Sequence, residues 1–208
     1  MLKIYGFPKS RSTRITWLAE ELNIPYEFHL IDLFKGGNRT PEFLAMNPSA
    51  KVPAINDDGF VLTESGAIIT YLADKYADEG LIPPAGSEAR GLYEQWSYFA
   101  LSELEQPLWT MGKHRFAIPE EYRVPEVLNT AAWEFQKVLD LLSQGLADKD
   151  YILGNQFQAV DILLVHTLMW GISFEQPVEQ GNLKAYLQRV SSRAALARAS
   201  EKEEAAQQ

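Results

Sequence analysis

Four hydroxyl side chains fall within nine residues near the start of the chain, between a short apolar run and a stretch with helical spacing. A hydroxyl donor beside a helix N-terminus stabilises an anion, because the terminal N–H groups are unpaired and that end is partially positive. Thiols, with a pKa of about 8.5, are mostly protonated at neutral pH, and such a site lowers their pKa by stabilising only the thiolate. The four residues are Tyr5, Ser10, Ser12 and Thr13, in YGFPKSRSTR.

The same hydroxyls also have a purely structural interpretation. Ser12 or Thr13 would cap the following helix, and Ser10 would lie in a loop. The 208 residues contain no cysteine, so a thiol served by this cluster would belong to a bound molecule. The lack of cysteine also excludes disulfides, thiolate metal sites and a cysteine nucleophile. The three histidines are scattered and show no metal-binding spacing, so we expect no metal.

Charge and hydropathy narrow the possible partners. The net charge is −9, which disfavours nucleic acid as a partner. Residues 1–55 nevertheless contain seven Lys/Arg against five Asp/Glu, which fits either a small anionic ligand or ordinary surface scatter. Apolar runs all fall short of the ~20 residues that a membrane span needs, and MLKIYGFP lacks the apolar region of a signal peptide. We expect a soluble cytoplasmic protein that binds no membrane.

The elements that must position the hydroxyls form a β-α-β-α-β-β-α order in the first third of the chain. Apolar spacing predicts a strand at 2–6, a helix at 13–22, a strand at 26–33 and a short helix at 41–46. A hairpin with strands at 53–56 and 60–63 follows, and Ser65 opens the next helix. This order predicts a small mixed sheet covered by helices, ending near residue 77 in a Gly- and Pro-rich linker over 77–88.

Strand signals vanish after Arg90, so the second half is predicted to be all-helical. Helical spacing covers 92–112, 119–146, 160–172 and 183–199. The third of these is apolar on nearly all faces and is expected to be a buried central helix, with Asp161 bound to backbone N–H groups at its start. Composition predicts disorder only after Ala199. The fold class is therefore α+β with two domains.

Two further local patterns permit a peptide-like ligand. In AKVPA, Pro53 suits the start of an edge strand, and a cis Val52–Pro53 bond would turn the backbone of Val52 outward to pair with an extended peptide. Without other information trans is favoured, since only about 5–6% of X–Pro bonds are cis. In TESG, the helix turn after Ser65 could bind a carboxylate while Glu64 pairs with an amine. The simpler interpretation is an N-cap serine and a solvated glutamate.

Taken in chain order, these segments resemble the cytosolic glutathione S-transferase family over nearly the full length. The matching pieces are KIYGFPKSRSTRITWLAEEL, IPYEFHLIDL, PEFLAMNPSAKVPAI and LTESGAIITYLADKY, then a linker and an all-helical half. The resemblance implies a thioredoxin-like glutathione-binding domain at 1–77, an all-helical domain at 89–200 that carries the acceptor-substrate pocket, a cis proline at Pro53 and a homodimer. Departures are Gln158 where relatives often carry Ser or Thr, and Ala194 in place of the proline of R-P-A.

The resemblance also implies roles for individual residues. GFPKSRSTR matches the serine-type pattern G-x-P-x-S-x-x-T-R of the plant phi class and related bacterial enzymes, which makes Ser10 the residue that donates to the glutathione sulfur. Tyr5 is the alternative, because other branches use a tyrosine at the end of the first strand. Glutathione, as co-substrate, would contact Arg39, Lys51, Val52, Pro53, Glu64 and Ser65. Apolar candidates for the acceptor pocket are Phe7, Trp109, Met111 and Phe116.

The expected function is transfer of glutathione to a small hydrophobic electrophile. Two alternatives stay open from the sequence. The first is glutathione-dependent reduction of organic peroxides by the same thiolate. The second is a glutathione-fold binding or interaction protein without turnover, although Ser10, Pro53, Glu64 and Ser65 are all present.

Overall fold

The chain divides into two compact units in a computed structural model that describes residues 1–76, 78 and 80–207. The first unit comprises Met1–Ile82 together with Ser192–Gln208, and the helical unit comprises Pro83–Ser191. The predicted end of the first domain, residue 77, lies outside the described residues. Residues 192–200, which we expected in the helical domain, belong to the first unit instead.

A four-stranded mixed sheet forms the centre of the first unit. The predicted β-α-β-α-β-β-α order is confirmed: the elements are β1 (Leu2–Gly6), α1 (Thr13–Glu21), β2 (Tyr26–Leu30), α2 (Pro41–Met46), β3 (Ala54–Asp57), β4 (Phe60–Thr63) and α3 (Ser65–Lys75). The strands lie in the order β2-β1-β3-β4, with β1 parallel to β2 and the other pairs antiparallel.

Strand β2 is three residues shorter than predicted. The N–H of Ile31 still bonds to the carbonyl of Gly6 at 2.8 Å, but the chain then turns. Asp32 causes the turn, because its carboxylate accepts the backbone N–H groups of Phe34 and Lys35 at 3.0 and 3.1 Å. A local side-chain bond therefore ends a strand that apolar alternation alone would have continued.

The C-terminal residues form a helix, so the predicted disorder after Ala199 is wrong. Helix α9 (Ala194–Ala205) packs against α1 within the first unit. Within the tail, Lys202 lies 2.6 Å from a carboxylate oxygen of Glu20 in α1, and two arginines just before the tail pair with α1 as well. Arg193 donates to both oxygens of Glu21 at 2.6 and 2.7 Å, and Arg198 donates to Glu20 at 2.8 Å. Composition misled here because the partners lie about 170 positions earlier in the chain.

The helical unit contains five α-helices over its described residues. They are α4 (Glu88–Phe99), α5 (Glu105–Gly112), α6 (Val127–Leu146), α7 (Ala159–Ser173) and α8 (Gly181–Ser191). A π-helical turn at Ala100–Leu104 joins α4 to α5. Helix α6 begins eight residues later than predicted, since the segment before it forms only a 3₁₀ turn. Residues 159–168 of α7 are all buried, which confirms the prediction of a central helix.

Asp161 is fully buried at the start of α7 and its carboxylate is satisfied by hydrogen bonds. The backbone N–H groups of Ile152 and Gln158 donate to it at 3.0 and 2.8 Å, and the hydroxyl of Tyr186 donates at 2.5 Å. Burial, followed by the negative charge of Asp161, raises the pKa of Tyr186. The prediction that Asp161 binds backbone N–H groups at this helix start is confirmed.

Packing between α4 and α6 depends on Gly145. A Cβ atom at this position would lie 2.1 Å from the Trp96 ring, whereas a Cβ at Gly91 would meet nothing within 4 Å. We therefore expect Gly145→Ala to lower the free energy of unfolding by about 1–3 kcal/mol through overpacking. Gly91→Ala is the matched helical control and should be neutral or raise it by up to ~1 kcal/mol. Urea denaturation measures both, and equal values for the two variants would contradict the packing argument.

Candidate active site

Three segments meet at one end of the sheet, which we call the site end. Strand register pairs Tyr5 with Ala54, and Ala54 with Thr63. Because β3 is antiparallel to both neighbours, the segment after β1, the segment before β3 and the segment after β4 all leave the sheet at this end. These segments contain Ser10, Val52–Pro53 and Glu64–Ser65. The fold thus brings together residues that are 55 positions apart in the sequence.

Ser10 is half-buried, and its hydroxyl is the centre of a hydrogen-bond network. Its Oγ lies 2.6 Å from the carbonyl oxygen of Phe7 and 2.9 Å from the Oγ of Ser12, so its single proton can be donated to either of them. The same Oγ accepts the backbone N–H of Ser12 at 3.1 Å. An N–H at the positive end of α1 is therefore directed at the Ser10 oxygen, which polarises the O–H bond and makes Ser10 a stronger donor.

Ser12 supports this network and does not cap α1. Its side chain is fully buried, and its Oγ accepts the backbone N–H of Phe7 at 3.1 Å. No side-chain bond caps the N-terminus of α1, so the interpretation of Ser12 or Thr13 as a cap is wrong. The close approach of Ser12 to β1 requires glycine at position 6, because a Cβ there would lie 2.5 Å from the Ser12 Cβ.

Tyr5 lies on the opposite face of the sheet from Ser12. Side chains alternate along β1, and the Cβ direction of Gly6 points toward Ser12, so the neighbouring Tyr5 points the other way. Its ring stacks on His29 of β2, with centroids 4.9 Å apart. The structure therefore separates the alternative hydroxyl from the network around Ser10.

The start of α3 is fixed by a buried arginine. Arg14 is 0% exposed, and its Nη1 donates to the Oγ of Ser65 at 3.1 Å. Ser65 is the first residue of α3 and does not act as the predicted N-cap, since Glu64 occupies that position with a φ of +68°. The carboxylate of Glu64 is exposed. Arg14 lies within the S-x-x-T-R pattern, but the pattern alone gave no reason to expect its bond to α3.

The segment before β3 contains the cis Val52–Pro53 bond that the family resemblance implies. The buried side chain of Asn47 fixes the approach to it, because its amide donates to the carbonyl oxygen of Lys51 at 2.7 Å. The side chain of Lys51 is exposed, as is that of Arg39 in a short 3₁₀ turn at Gly37–Arg39. Sequence analysis did not single out Asn47, although it is the first residue of the NPSAKVP stretch.

An aromatic pair lies on the loops that leave the site end. Phe7 contacts Phe34 edge-to-face, with ring centroids 5.5 Å apart. Phe34 follows β2 and is 90% exposed, the largest exposed fraction among the exposed large apolar side chains of the described residues. Phe34 was missed because FKGGNR indicates only a loop. Such an exposed ring beside a polar network offers apolar surface to a ligand.

The other acceptor-pocket candidates belong to the helical unit. Trp109 is half-buried in α5, and Met111 is only 1% exposed and so forms part of the core of this unit. Phe116 is 62% exposed and lies 6.2 Å, between centroids, from the ring of Phe174. Phe174 also contacts Trp170 edge-to-face at 5.5 Å. The structure thus groups Phe116 with two aromatic residues that sequence analysis did not select.

Residues 1–76, 78 and 80–207 contain neither a metal-binding cluster nor a membrane-spanning helix. This part of the chain holds no group of three or more His, Asp or Glu side chains that could bind a metal ion. It also contains no helix with the length and apolar character required to cross a membrane.

Comparison with known proteins identifies the family. The model of the glutathione S-transferase N-terminal domain matches residues 1–74, and that of the C-terminal domain matches residues 106–194. Glutathione S-transferase theta-1 of Rattus norvegicus is 30% identical over 200 residues, which is 92% of this chain and 83% of the relative. The chain belongs to the glutathione S-transferase family. The resemblance found in the sequence is therefore confirmed.

Solved structures of other glutathione transferases share this fold. A glutathione transferase from Methylococcus capsulatus superposes with a TM-score of 0.87 at 28% identity, covering 99% of this chain and 100% of that one. A glutathione transferase family member from Pseudomonas fluorescens, solved with two glutathione molecules bound, gives 0.81 at 27% identity, covering 96% and 92%. The predicted fold class, a thioredoxin-like domain followed by a helical domain, is confirmed.

Proposed function

We propose that this glutathione S-transferase is a serine-type enzyme that activates glutathione through Ser10. The observation that carries the proposal is the hydroxyl of Ser10, which accepts an N–H from the start of α1 and is held at the site end of the sheet. Glutathione loses its thiol proton to solvent, and its thiolate attacks an electrophilic carbon on a small apolar molecule. The sulfur–carbon bond forms as the leaving group departs with its electron pair.

Ser10 acts by donating its single proton to the sulfur. That proton is directed at Phe7 O or Ser12 Oγ in the unliganded chain, and rotation about the Cβ–Oγ bond redirects it. The N–H of Ser12 continues to donate to the Ser10 oxygen, so the hydroxyl stays polarised while it faces the negative charge. Both donors favour the thiolate over the thiol and so lower the pKa of bound glutathione.

The remaining parts of glutathione would be bound by the other two segments of the site end. The backbone of Val52, next to Pro53, pairs with the cysteinyl portion. Glu64 and Ser65 hold the γ-glutamyl end, where the buried Arg14 fixes Ser65. The exposed cations of Lys51 and Arg39 meet the glycine carboxylate.

Apolar side chains would bind the electrophile. In the first unit, Phe7 and Phe34 supply a pair of rings next to the loop of Ser10. In the helical unit, Trp109 and Phe116 stay candidates, whereas Met111 is withdrawn because its side chain is buried in the core of that unit. Aromatic surfaces of this kind suit a flat, hydrophobic substrate.

Calorimetry and turnover assays test the proposal. We expect glutathione to bind the wild-type protein, and an aryl halide to be conjugated faster than cumene hydroperoxide is reduced. Reduction of the peroxide without conjugation would make the protein a glutathione-dependent peroxidase. Absence of glutathione binding would overturn the proposal and favour a non-catalytic binding protein.

The proposal includes a homodimer in the cytoplasm. Strand β4 is an edge strand of the sheet, and it exposes Phe60 and Val61, which fits a surface covered by a second copy. The cytoplasmic glutathione pool would supply the co-substrate. Sedimentation analysis of the sample used for calorimetry measures whether the protein is a monomer or a dimer.

A further inference from the structure

A buried carboxylate lies beneath the first turn of α1 and has no place in the mechanism above. It belongs to Glu203 of α9, which is only 2% exposed. Its Oε1 accepts the hydroxyl of Thr16 at 2.6 Å, and its Oε2 accepts the hydroxyl of Thr13 at 2.9 Å. Both threonines are in α1, so this side chain joins the last helix of the chain to the helix that begins after Ser10.

The two residues that this carboxylate binds are bonded in turn to the loop that carries Ser10. The backbone N–H of Thr13 donates to the carbonyl of Ser10 at 3.1 Å, and that of Thr16 to the carbonyl of Ser12 at 3.2 Å. Lys9, just before Ser10, has a φ of +57°, a left-handed conformation that L-residues rarely adopt. The ammonium of Lys9 also lies 3.5 Å from a carboxylate oxygen of Glu204. Two successive residues of α9 therefore contact the first turns of α1 and the side chain of the residue immediately before Ser10.

Stability of the helix pair does not require an acidic side chain at this position. Burial raises the pKa of Glu203, and the hydrogen bonds from Thr16 and Thr13 compensate only in part. An apolar residue of similar size would join two helices without the cost of desolvating a carboxylate. The carboxylate differs from such a residue in one respect, which is that it accepts the hydroxyls of Thr13 and Thr16, next to the Ser10 loop.

We propose that Glu203 is a positioning residue for thiolate formation. By bonding to Thr13 and Thr16, whose backbone N–H groups donate to the carbonyls of Ser10 and Ser12, it fixes the first turns of α1 and thereby places the Ser10 hydroxyl relative to the start of that helix. Glu203 is not a catalytic residue, because it acts through the loop. This inference rests on the proposed function in one respect: its effect on catalysis requires that Ser10 stabilise the glutathione thiolate.

Three variants of α9 test the role of Glu203. Glu203→Ala removes the acceptor, whereas Glu203→Gln keeps a side chain of the same shape that can bond to both threonines through its oxygen and its amide. Glu201→Ala is the matched control, since Glu201 is exposed on the same helix. The readouts are the thiolate absorbance of saturating bound glutathione against pH, kcat and KM for glutathione, and hydrogen exchange of the amides of residues 9–13 in the free protein.

We expect Glu203→Ala to raise the pKa of bound glutathione and to lower kcat on the order of 10- to 100-fold, the effect of a misplaced catalytic group. KM for glutathione should change less, because the Val52 and Ser65 contacts are intact. Amide exchange at residues 9–13 should accelerate at least tenfold. Glu203→Gln should retain most of the wild-type behaviour, and Glu201→Ala all of it.

One result would overturn the inference. In that case Glu203→Ala is less stable to urea, but below its unfolding transition it has the kcat, thiolate pKa and amide exchange of the wild type. If Glu203→Ala does not fold, Thr13→Val removes one of the two hydroxyl donors and should shift the readouts in the same direction to a smaller extent. Absence of a thiolate signal in the wild type would contradict the proposed function, and the exchange measurement would still decide whether Glu203 holds the loop.

Discussion

Replacing Ser10 by alanine is expected to lower turnover of an aryl halide by about 10²–10³-fold, the effect of removing one preorganised donor from a developing or stabilised anion. The loss follows from the network described above, because the N–H of Ser12 would then have no hydroxyl through which to act on the sulfur. Hydrogen bonds to charged groups contribute about 1.5–3 kcal/mol, so the pKa of bound glutathione should rise by about one to two pH units. Thiolate absorbance against pH measures this change directly.

Two further variants at the site make this experiment specific. Ser10→Thr keeps a hydroxyl and should retain a lowered thiol pKa, which separates loss of the donor from disturbance of the loop. Tyr5→Phe removes the hydroxyl on the opposite face of the sheet and should leave the pKa of glutathione unchanged. If Tyr5→Phe abolishes conjugation while Ser10→Ala leaves it intact, the assignment of Ser10 is wrong.

Gly6→Ala is expected to damage both the fold and the activity. The added Cβ would lie 2.5 Å from the Cβ of Ser12 and 2.9 Å from the ring of Phe28, so Ser12 must move. Overpacking of this kind costs about 1–3 kcal/mol in the free energy of unfolding. Displacing Ser12 also moves both of its bonds to Ser10, so the thiolate signal should fall even in molecules that remain folded.

A double variant separates these two effects. Gly6→Ala combined with Ser12→Gly removes the side chain that the new Cβ meets, and should recover much of the lost stability in urea denaturation. It should not recover the thiolate, because the Ser12 hydroxyl that bonds Phe7 and Ser10 is absent. A Gly6→Ala protein with wild-type stability and thiolate pKa would contradict the close approach of β1 and Ser12.

Local sequence signals predicted the sheet and the loop of Ser10, because interactions between residues close together in the chain determine both. The short apolar run LKIYG predicted β1, and the DDG turn predicted the hairpin of β3 and β4. The S-x-x-T-R pattern placed a hydroxyl where a strand passes into a helix. Hydroxyl roles within that loop were less predictable. Serine is a residue type that often caps helices, yet the Oγ of Ser12 accepts the backbone N–H of Phe7, because the chain folds back on itself within the loop.

Features that depend on distant partners could not be predicted. The second half of α9, after Ala199, was predicted to be disordered, since nothing near Lys202 in the sequence reveals the buried carboxylate of Glu20 in α1. In the sequence, nothing distinguishes Glu203 from the solvated glutamates beside it. It differs from them only in the fold, where its carboxylate accepts the hydroxyls of Thr13 and Thr16. Phe34 likewise becomes a candidate binding residue only in the fold, where its ring contacts that of Phe7.

The contact of α9 with α1 has a consequence for synthesis of the chain. The first unit is discontinuous, because the whole helical unit lies between Ile82 and Ser192. A growing chain therefore presents α1 long before α9 has been translated. During that interval, Thr13 and Thr16 lack their bonds to Glu203, and the carboxylates of Glu20 and Glu21 lack their bonds to Arg198 and Arg193. These contacts of α1 therefore form only after more than a hundred further residues have been made, although the Ser10 loop precedes the entire helical unit in the chain.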